Sequence, residues 1–277
     1  MLPANEKWFT EVHQDAGSAW SLAIETRLAH EVTDYQTIEV YQTRDWGNLM
    51  VIDGFVMLST RDNFLYHEML THPALFSHPD PKRVLIIGGG DCGTLSEVLR
   101  HQGVERCTQV EIDEQVTRLA EKFFPELCAR NDDPRAELLF DDGLAHIKNQ
   151  PEGSLDLIIV DSTDPIGPAE GLFGPGFVKD CYRALAEGGI FVQQSESPLL
   201  HKDLIAGIRD NMGQAGFSDI KTLGFPQPCY PSGWWSASQA RKGGTIEAAD
   251  PARFEASGIE TRYYNPEVHR GALSTQL

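Results

Sequence analysis

Paired cysteines are missing from this chain. Its five, Cys92, Cys107, Cys128, Cys181 and Cys229, are odd in number, widely spaced and without a C-x-x-C pair. That excludes a disulfide framework and a cysteine zinc site, and it predicts a reducing, cytoplasmic setting. No run approaches the roughly 20 apolar residues a membrane span needs, and Met1 to Thr10 is polar, so neither a membrane nor export is expected. Positive charge is scarce: 23 Lys and Arg stand against 41 Asp and Glu, a formal charge of -18. This balance argues against nucleic acid as a partner and favours small cations. No serine sits in a nucleophile elbow. His67 and His72 are five apart, on different faces of a helix turning about 100° per residue, so the paired histidines of zinc hydrolases are absent and no metal is expected.

The apolar pattern that is present divides the chain in two. From Trp8 to Thr60 it is short and strand-like, as in Thr37 to Tyr41 and Leu49 to Ile52, with turns at Asp45 to Asn48 and at Asp53-Gly54. We read residues 1–60 as a small antiparallel β domain. Arg61 to Phe76 is helical by period and leads into the second part, residues 61–277. There, strands at Arg83 to Ile87, Cys107 to Ile112, Ala136 to Phe140, Leu155 to Val160 and Gly189 to Gln193 alternate with helices. Further strand material lies near Phe217 to Leu223 and Trp234 to Gln239. Such alternation predicts a doubly wound, mostly parallel α/β sheet. Beyond Arg241 the periodicity fades, although the aromatics between Arg262 and Leu273 are expected to dock on the core.

Ligands of such sheets lie beyond the carboxyl ends of the strands. The first strand empties into Gly88-Gly89-Gly90-Asp91. Glycines there let the backbone approach a nucleotide, yet Asp91 would repel a pyrophosphate, which opposes a dinucleotide dehydrogenase. An adenosine compound with a cationic tail fits better, a sulfonium of the S-adenosylmethionine type. The next strands also end in acid. Glu111, about twenty residues past the turn, is placed to receive ribose hydroxyls, or else serves the first turn of the next helix. Asp142 either accepts from an adenine amino group, with Gly143 leaving room for the ring, or caps the following helix. Asp161 and Asp164 leave a strand that should be central and buried, where a carboxylate is costly unless used or paired. Their loop, Asp161 to Phe173, has the glycines and prolines of a lid, though a capped turn without a ligand is the alternative.

Taken together, Tyr66-His67-Glu68-Met69, Ile87-Gly88-Gly89-Gly90-Asp91, Glu111-Ile112-Asp113, Asp141-Asp142-Gly143, Asp161 to Pro168, Tyr230-Pro231-Ser232-Gly233 and Tyr263 to Arg270 resemble the spermidine synthases, the polyamine aminopropyltransferases of bacterial type. The resemblance implies the sheet of S-adenosylmethionine-dependent methyltransferases and decarboxylated S-adenosylmethionine as co-substrate, with no tightly bound cofactor. It implies putrescine as acceptor, spermidine and 5'-methylthioadenosine as products, and a homodimer or homotetramer. By the same resemblance Gln36 and Glu111 hold the ribose, Gly88 and Gly90 admit the nucleoside, and Asp142, Gly143 and Pro168 flank the adenine. His67, Asp91 and Asp164 face the amines, Gln194 and Tyr230 line the acceptor channel, and Asp161 is the base with Tyr66 as its hydrogen-bond partner.

Four positions depart from the family pattern: Cys92 where Gly or Ala is usual, Ser96 where Arg is common, and Met57 and Thr60 where Gln and Glu are usual beside the acceptor. They leave cadaverine or diaminopropane open as acceptors. Two other functions compete: an S-adenosylmethionine-dependent N-methyltransferase acting on a diamine, and a non-catalytic polyamine-binding protein. The presence of both Asp161 and Tyr66 argues against the second.

Overall fold

Alternating apolar residues on β6 (Arg83–Gly88) send Val84 and Ile86 to one face of the main sheet and Leu85 and Ile87 to the other, where separate apolar clusters receive them. Both faces are therefore covered, as a parallel sheet requires. The computed structural model describes residues 7–165 and 167–274, the side chain of residue 168 excepted. From β6 the chain runs through α2 (Gly93–Val98), β7 (Arg106–Glu111), α3 (Glu114–Phe123), β8 (Ala136–Phe140), α4 (Gly143–Asn149) and β9 (Leu155–Asp161). A 3-10 segment at Gly167–Phe173 is followed by α5 (Pro175–Ala184), β10 (Leu185–Gln194), α6 (Lys202–Ala215), β11 (Asp219–Pro226) and β12 (Trp234–Arg241). The strand order is β11-β12-β10-β9-β6-β7-β8, with β8 through β10 parallel and the last hairpin antiparallel. The order reverses between β6 and β9, and a crevice opens at their carboxyl ends.

Ahead of this sheet stand β1 (Lys7–His13), β2 (Ser18–Val32), β3 (Thr37–Thr43), β4 (Asn48–Ile52) and β5 (Phe55–Ser59), a five-stranded antiparallel meander. Its inner residues Ile38, Val40, Met50, Ile52 and Leu58 pack on Val116, Leu119, Ala120 and Phe124, so the small sheet leans on α3 and overhangs the crevice. β2 is longer than the sequence pattern indicated. It is mostly exposed, and its pairing with β3 shifts register twice, which breaks the alternation a strand would otherwise show.

Helix α1 (Asn63–Ser77) is buried along nearly its whole length and on all sides. It packs on α2 and on the main sheet. The chain beyond Arg241, without visible periodicity, forms two short helices, α7 (Pro251–Ser257) and α8 (Pro266–Ser274). A buried acid holds this tail. Glu68 of α1 accepts the backbone N–H groups of Arg262, Tyr263 and Tyr264 at 2.8, 2.9 and 2.8 Å, and Tyr264 stacks on Phe76. Three charge-assisted bonds to one carboxylate anchor the tail locally. Replacing Glu68 by Ala leaves three donors, the Tyr264 N–H fully buried, without that acceptor and is expected to cost roughly 2 kcal/mol or more. Thermal unfolding of the Glu68→Ala protein checks this, and an unchanged melting temperature would refute it.

Candidate active site

The turn after β6 meets the end of β9 at van der Waals range. Gly88 pairs with Asp161 across the two strands, and Gly89 N–H donates to the Asp161 carbonyl at 2.7 Å. Gly88 has φ of 82°, and a Cβ on it would lie 2.2 Å from the Asp161 carbonyl oxygen, so only glycine lets the two strand ends close in this way. The Asp161 carboxylate then projects beside the glycine turn. Tyr66 Oη–H donates to its Oδ1 at 2.7 Å and Thr94 Oγ1–H to its Oδ2 at 2.6 Å. Burial, then the nearby Asp91 charge, raises the Asp161 carboxyl above the ordinary range, with His67 and the two hydroxyls opposing. Burial and the Asp161 charge push the Tyr66 phenol well up, so it stays a donor.

Asp91 is treated oppositely. Its Oδ1 accepts Gly93 N–H at 2.7 Å and its Oδ2 lies 3.2 Å from His67 Nε2. Burial works against the charge, but His67 and the Gly93 N–H outweigh it and hold the carboxyl below its ordinary range. His67 answers in kind: burial pulls it down, yet Asp91 and Asp161 carry it up to about 9. His67 is only 2% exposed and lines neither cleft, and its imidazole meets the Asp91 carboxylate that lines the first. Gly93 makes room for it, since a Cβ there would meet the imidazole at 2.3 Å.

Two clefts meet here. The first spans about 940 Å³, part of it open to solvent, and is walled by the glycine turn with Asp91, by Glu111, Asp142 and Gly143, and by Gln36, Met50 and Ile52 of the overhanging sheet. Of the two readings the sequence left open for Asp142, the helix cap is formed. The Asp142 Oδ1 caps α4 by accepting Leu144 N–H at 2.8 Å, and the residue also lines the cleft. Gln36 Nε2 and Thr33 Oγ1 donate to Asp113 Oδ2, tying the small sheet to the corner between β7 and α3. The second cleft spans about 1400 Å³, part of it open to solvent, and carries Glu11, Asp164, Gln194, Glu196 and His201. Tyr66, Met57, Ser162, Thr163 and Tyr230 wall both. Pro168 lies outside the described residues as far as its side chain is concerned. Among the described residues no group of three or more His, Cys, Asp or Glu could hold a metal ion, and no helix is long and apolar enough to cross a membrane.

Comparison with known proteins places this arrangement. A family model described as the spermine/spermidine synthase domain matches residues 63–249, and one described as the spermidine synthase tetramerisation domain matches residues 7–60. The chain belongs to the spermidine synthase family. Its relatives in that family include polyamine aminopropyltransferases of Xanthomonas campestris pv. campestris (strain B100) and Xanthomonas oryzae pv. oryzae (strain PXO99A). Each is 58% identical over 273 residues, covering 98% of this chain and 96% of the relative. A crystal structure of a spermidine synthase in complex with the transition state analogue AdoDATO superposes with a TM-score of 0.93 at 34% identity, covering 99% of this chain and 94% of that one. The spermidine synthase of Thermotoga maritima gives 0.92 at 34% identity, over 99% and 93% of the two chains.

The departures from the family pattern fall in distinct places. Met57 lines both clefts. Thr60 lines neither, and accepts Asn48 N–H at 3.1 Å on the strand rim. Ser96 is half-buried on α2 and lines neither. Cys92 has φ of 68°, a left-handed conformation that glycine adopts without strain. Its thiol is held by Gln109 Nε2 at 3.7 Å. Thr94, Glu11 and Glu196 were not singled out from the sequence: nothing local marks a threonine or glutamate that reaches a partner folded in from far along the chain.

Glu111 supplies a pH test. Burial, together with the charges of Asp113 and Asp161 and against the Asp113 N–H, pushes its carboxyl up to about 7. Ribose hydroxyls donate best to the ionised form, so adenosine should bind more tightly as pH rises through about 7, several-fold between pH 6 and 8. Calorimetric titration measures this. The Glu111→Gln protein should bind weakly at both pH values, and an equal pH dependence in that variant would count against Glu111.

Proposed function

We propose that this chain transfers the aminopropyl group of decarboxylated S-adenosylmethionine to putrescine, giving spermidine and 5'-methylthioadenosine. One observation carries the reading: a cleft lined by the glycine turn, Glu111 and Asp142 shares a wall with an acid-lined cleft, and the carboxylate of Asp161 is held at that wall by Tyr66. In the first cleft Glu111 and Gln36 take the ribose, and Asp142 and Gly143 take the adenine beside Gly88 and Gly90. Asp91 is the anion that meets the donor's ammonium. It would repel the carboxylate of ordinary S-adenosylmethionine, which is why the decarboxylated form is chosen.

The second cleft takes the diamine. Its far ammonium meets Asp164, Glu11 and Glu196, with Gln194 and Tyr230 along the channel. Burial and the hydrogen-bonded neighbour Asp164 push the Glu196 carboxyl well above its ordinary range. An ammonium arriving there stabilises both acids as anions, so binding releases a proton. The near amine loses its proton toward Asp161 and its lone pair attacks the carbon next to sulfur. The C–S bond breaks, and its electron pair returns to sulfur as the sulfonium becomes a neutral thioether. An aspartate is a weak base for an amine whose pKa is about 10. Its raised proton affinity narrows the mismatch, and loss of the sulfonium charge completes the transfer.

In the same reading residues 1–60 form the unit that assembles the homodimer or homotetramer and residues 61–277 the unit that carries the chemistry, in the cytoplasm. The matched tetramerisation and synthase models support that division.

Two measurements test the proposal. With decarboxylated donor and a panel of diamines, methylthioadenosine and spermidine should form, with putrescine the preferred acceptor. Methyl transfer from ordinary S-adenosylmethionine without methylthioadenosine would replace the reading with an N-methyltransferase. The Asp161→Asn protein should lose about 10²- to 10⁴-fold in turnover while still binding the donor. Undiminished turnover would remove Asp161 from the mechanism.

A further inference from the structure

The first turn of α2 touches both carboxylates of the reaction centre from adjacent residues. Gly93 gives its backbone N–H to Asp91 Oδ1 at 2.7 Å, and Thr94 gives its side-chain hydroxyl to Asp161 Oδ2 at 2.6 Å. Thr94 is fully buried, so no bulk water competes for that hydroxyl. The second oxygen of Asp161 is held from a different element, by Tyr66 of α1. The terminal torsion of an aspartate is broad and roughly two-fold, so a single donor leaves the carboxylate plane free to turn. Two donors on opposite oxygens fix it.

We propose that Thr94 is a positioning residue for aminopropyl transfer: its hydroxyl locks the Asp161 carboxylate in the plane that faces the attacking amine and sets its spacing from Asp91. This rests on the reading of Asp161 as the proton acceptor. It goes beyond that reading in making the helix turn, rather than Tyr66 alone, responsible for the orientation of the base. Adjacent residues on one turn are rigidly spaced, so the site that recognises the donor's ammonium and the site that deprotonates the acceptor are held at a fixed separation. Proton transfer and displacement are sensitive to such placement, where an error near an ångström can cost about 10²-fold.

The hydroxyl also favours the charged form of the carboxylate. The other groups facing Asp161 are Tyr66 and His67 from α1, Asp91 after β6, Glu111 at the end of β7, and Tyr230 before β12. None of these changes when Thr94 is replaced by Val, which keeps the branched shape of the buried side chain and removes only the donor. The acidic limb of the pH–rate profile should then move to higher pH, because the ionised carboxylate has lost a hydrogen bond.

The experiment compares Thr94→Val and Thr94→Ser with the parent enzyme, using decarboxylated donor and putrescine across a pH series, with Asp161→Asn alongside. For Thr94→Val we expect kcat lower by about 10- to 100-fold, an acidic limb higher by roughly half to one pH unit, and a donor KM within about three-fold of the parent. Thr94→Ser should restore kcat to within a few-fold. If Thr94→Val fails to fold, Thr94→Ala read against Thr94→Ser gives the same contrast. An unmoved acidic limb, or a loss that appears in donor KM instead of kcat, or a serine variant as impaired as valine, overturns the proposal. If Thr94→Val matches the parent while Asp161→Asn is inactive, only the role of Thr94 falls. If Asp161→Asn keeps its turnover, the role of Asp161 falls first and that of Thr94 with it.

Discussion

Two carboxylates must work side by side in a cleft from which most water is withdrawn, and the rest of the site is arranged around that constraint. Like charges a few ångströms apart repel by several kcal/mol at the effective dielectric of a protein site, and burial adds to the cost of each. Uncompensated, the pair would hold one proton between them. The structure resolves the conflict by treating the two acids differently. Asp91 has the Gly93 N–H and the His67 imidazolium and stays an anion. The Asp161 carboxylate hydrogen-bonds neutral hydroxyls, and although His67 also opposes the shift it is left with a raised appetite for a proton. Environments that push two titratable groups apart are how acid–base roles are divided at neutral pH. His67, with a folded-state pKa of about 9, contributes stability that is complete below its ordinary value of 6.5 and is lost as pH rises through about 9.

The fold delivers this arrangement through its connections. The strand-order reversal between β6 and β9 places the glycine turn against Asp161, and the turn's following helix starts within reach of both acids. The small N-terminal sheet closes one side of the first cleft. It is tied down by an apolar seam with α3 and by Gln36 and Thr33 on the side chain of Asp113, which also caps α3. A single aspartate thus links helix start, sheet docking and the corner next to Glu111, whose Oε1 accepts the Asp113 N–H at 2.9 Å.

Much of this was legible because topology fixes where ligands go. Once strands and helices alternate, strand-ending acids are candidates by position alone, and Asp91, Glu111, Asp142, Asp161 and Asp164 all line one cleft or the other. What stayed hidden depended on contacts between distant residues or on broken patterns. Thr94 and Asp161 are 67 residues apart, and Glu11 comes from the first strand. α1 is buried all round, so its period could not tell which face carried Tyr66 toward the cleft and which turned Glu68 to the tail. His67 looked like a ligand contact from its place in the motif. Its ring packs against Gly93 and pairs with Asp91, contacts that the motif alone does not reveal.

The central claim is that Asp91, its carboxyl held below the ordinary range by His67 and the Gly93 N–H, selects an ammonium-bearing donor. Its most direct test is the ratio of nucleoside-product formation from decarboxylated and ordinary S-adenosylmethionine, measured for the parent enzyme and for Asp91→Asn with saturating putrescine. The account predicts a strong preference for the decarboxylated donor that collapses by at least about tenfold in the variant, as expected when a charge-assisted contact and a repulsion vanish together. A preference that survives the substitution unchanged would contradict it.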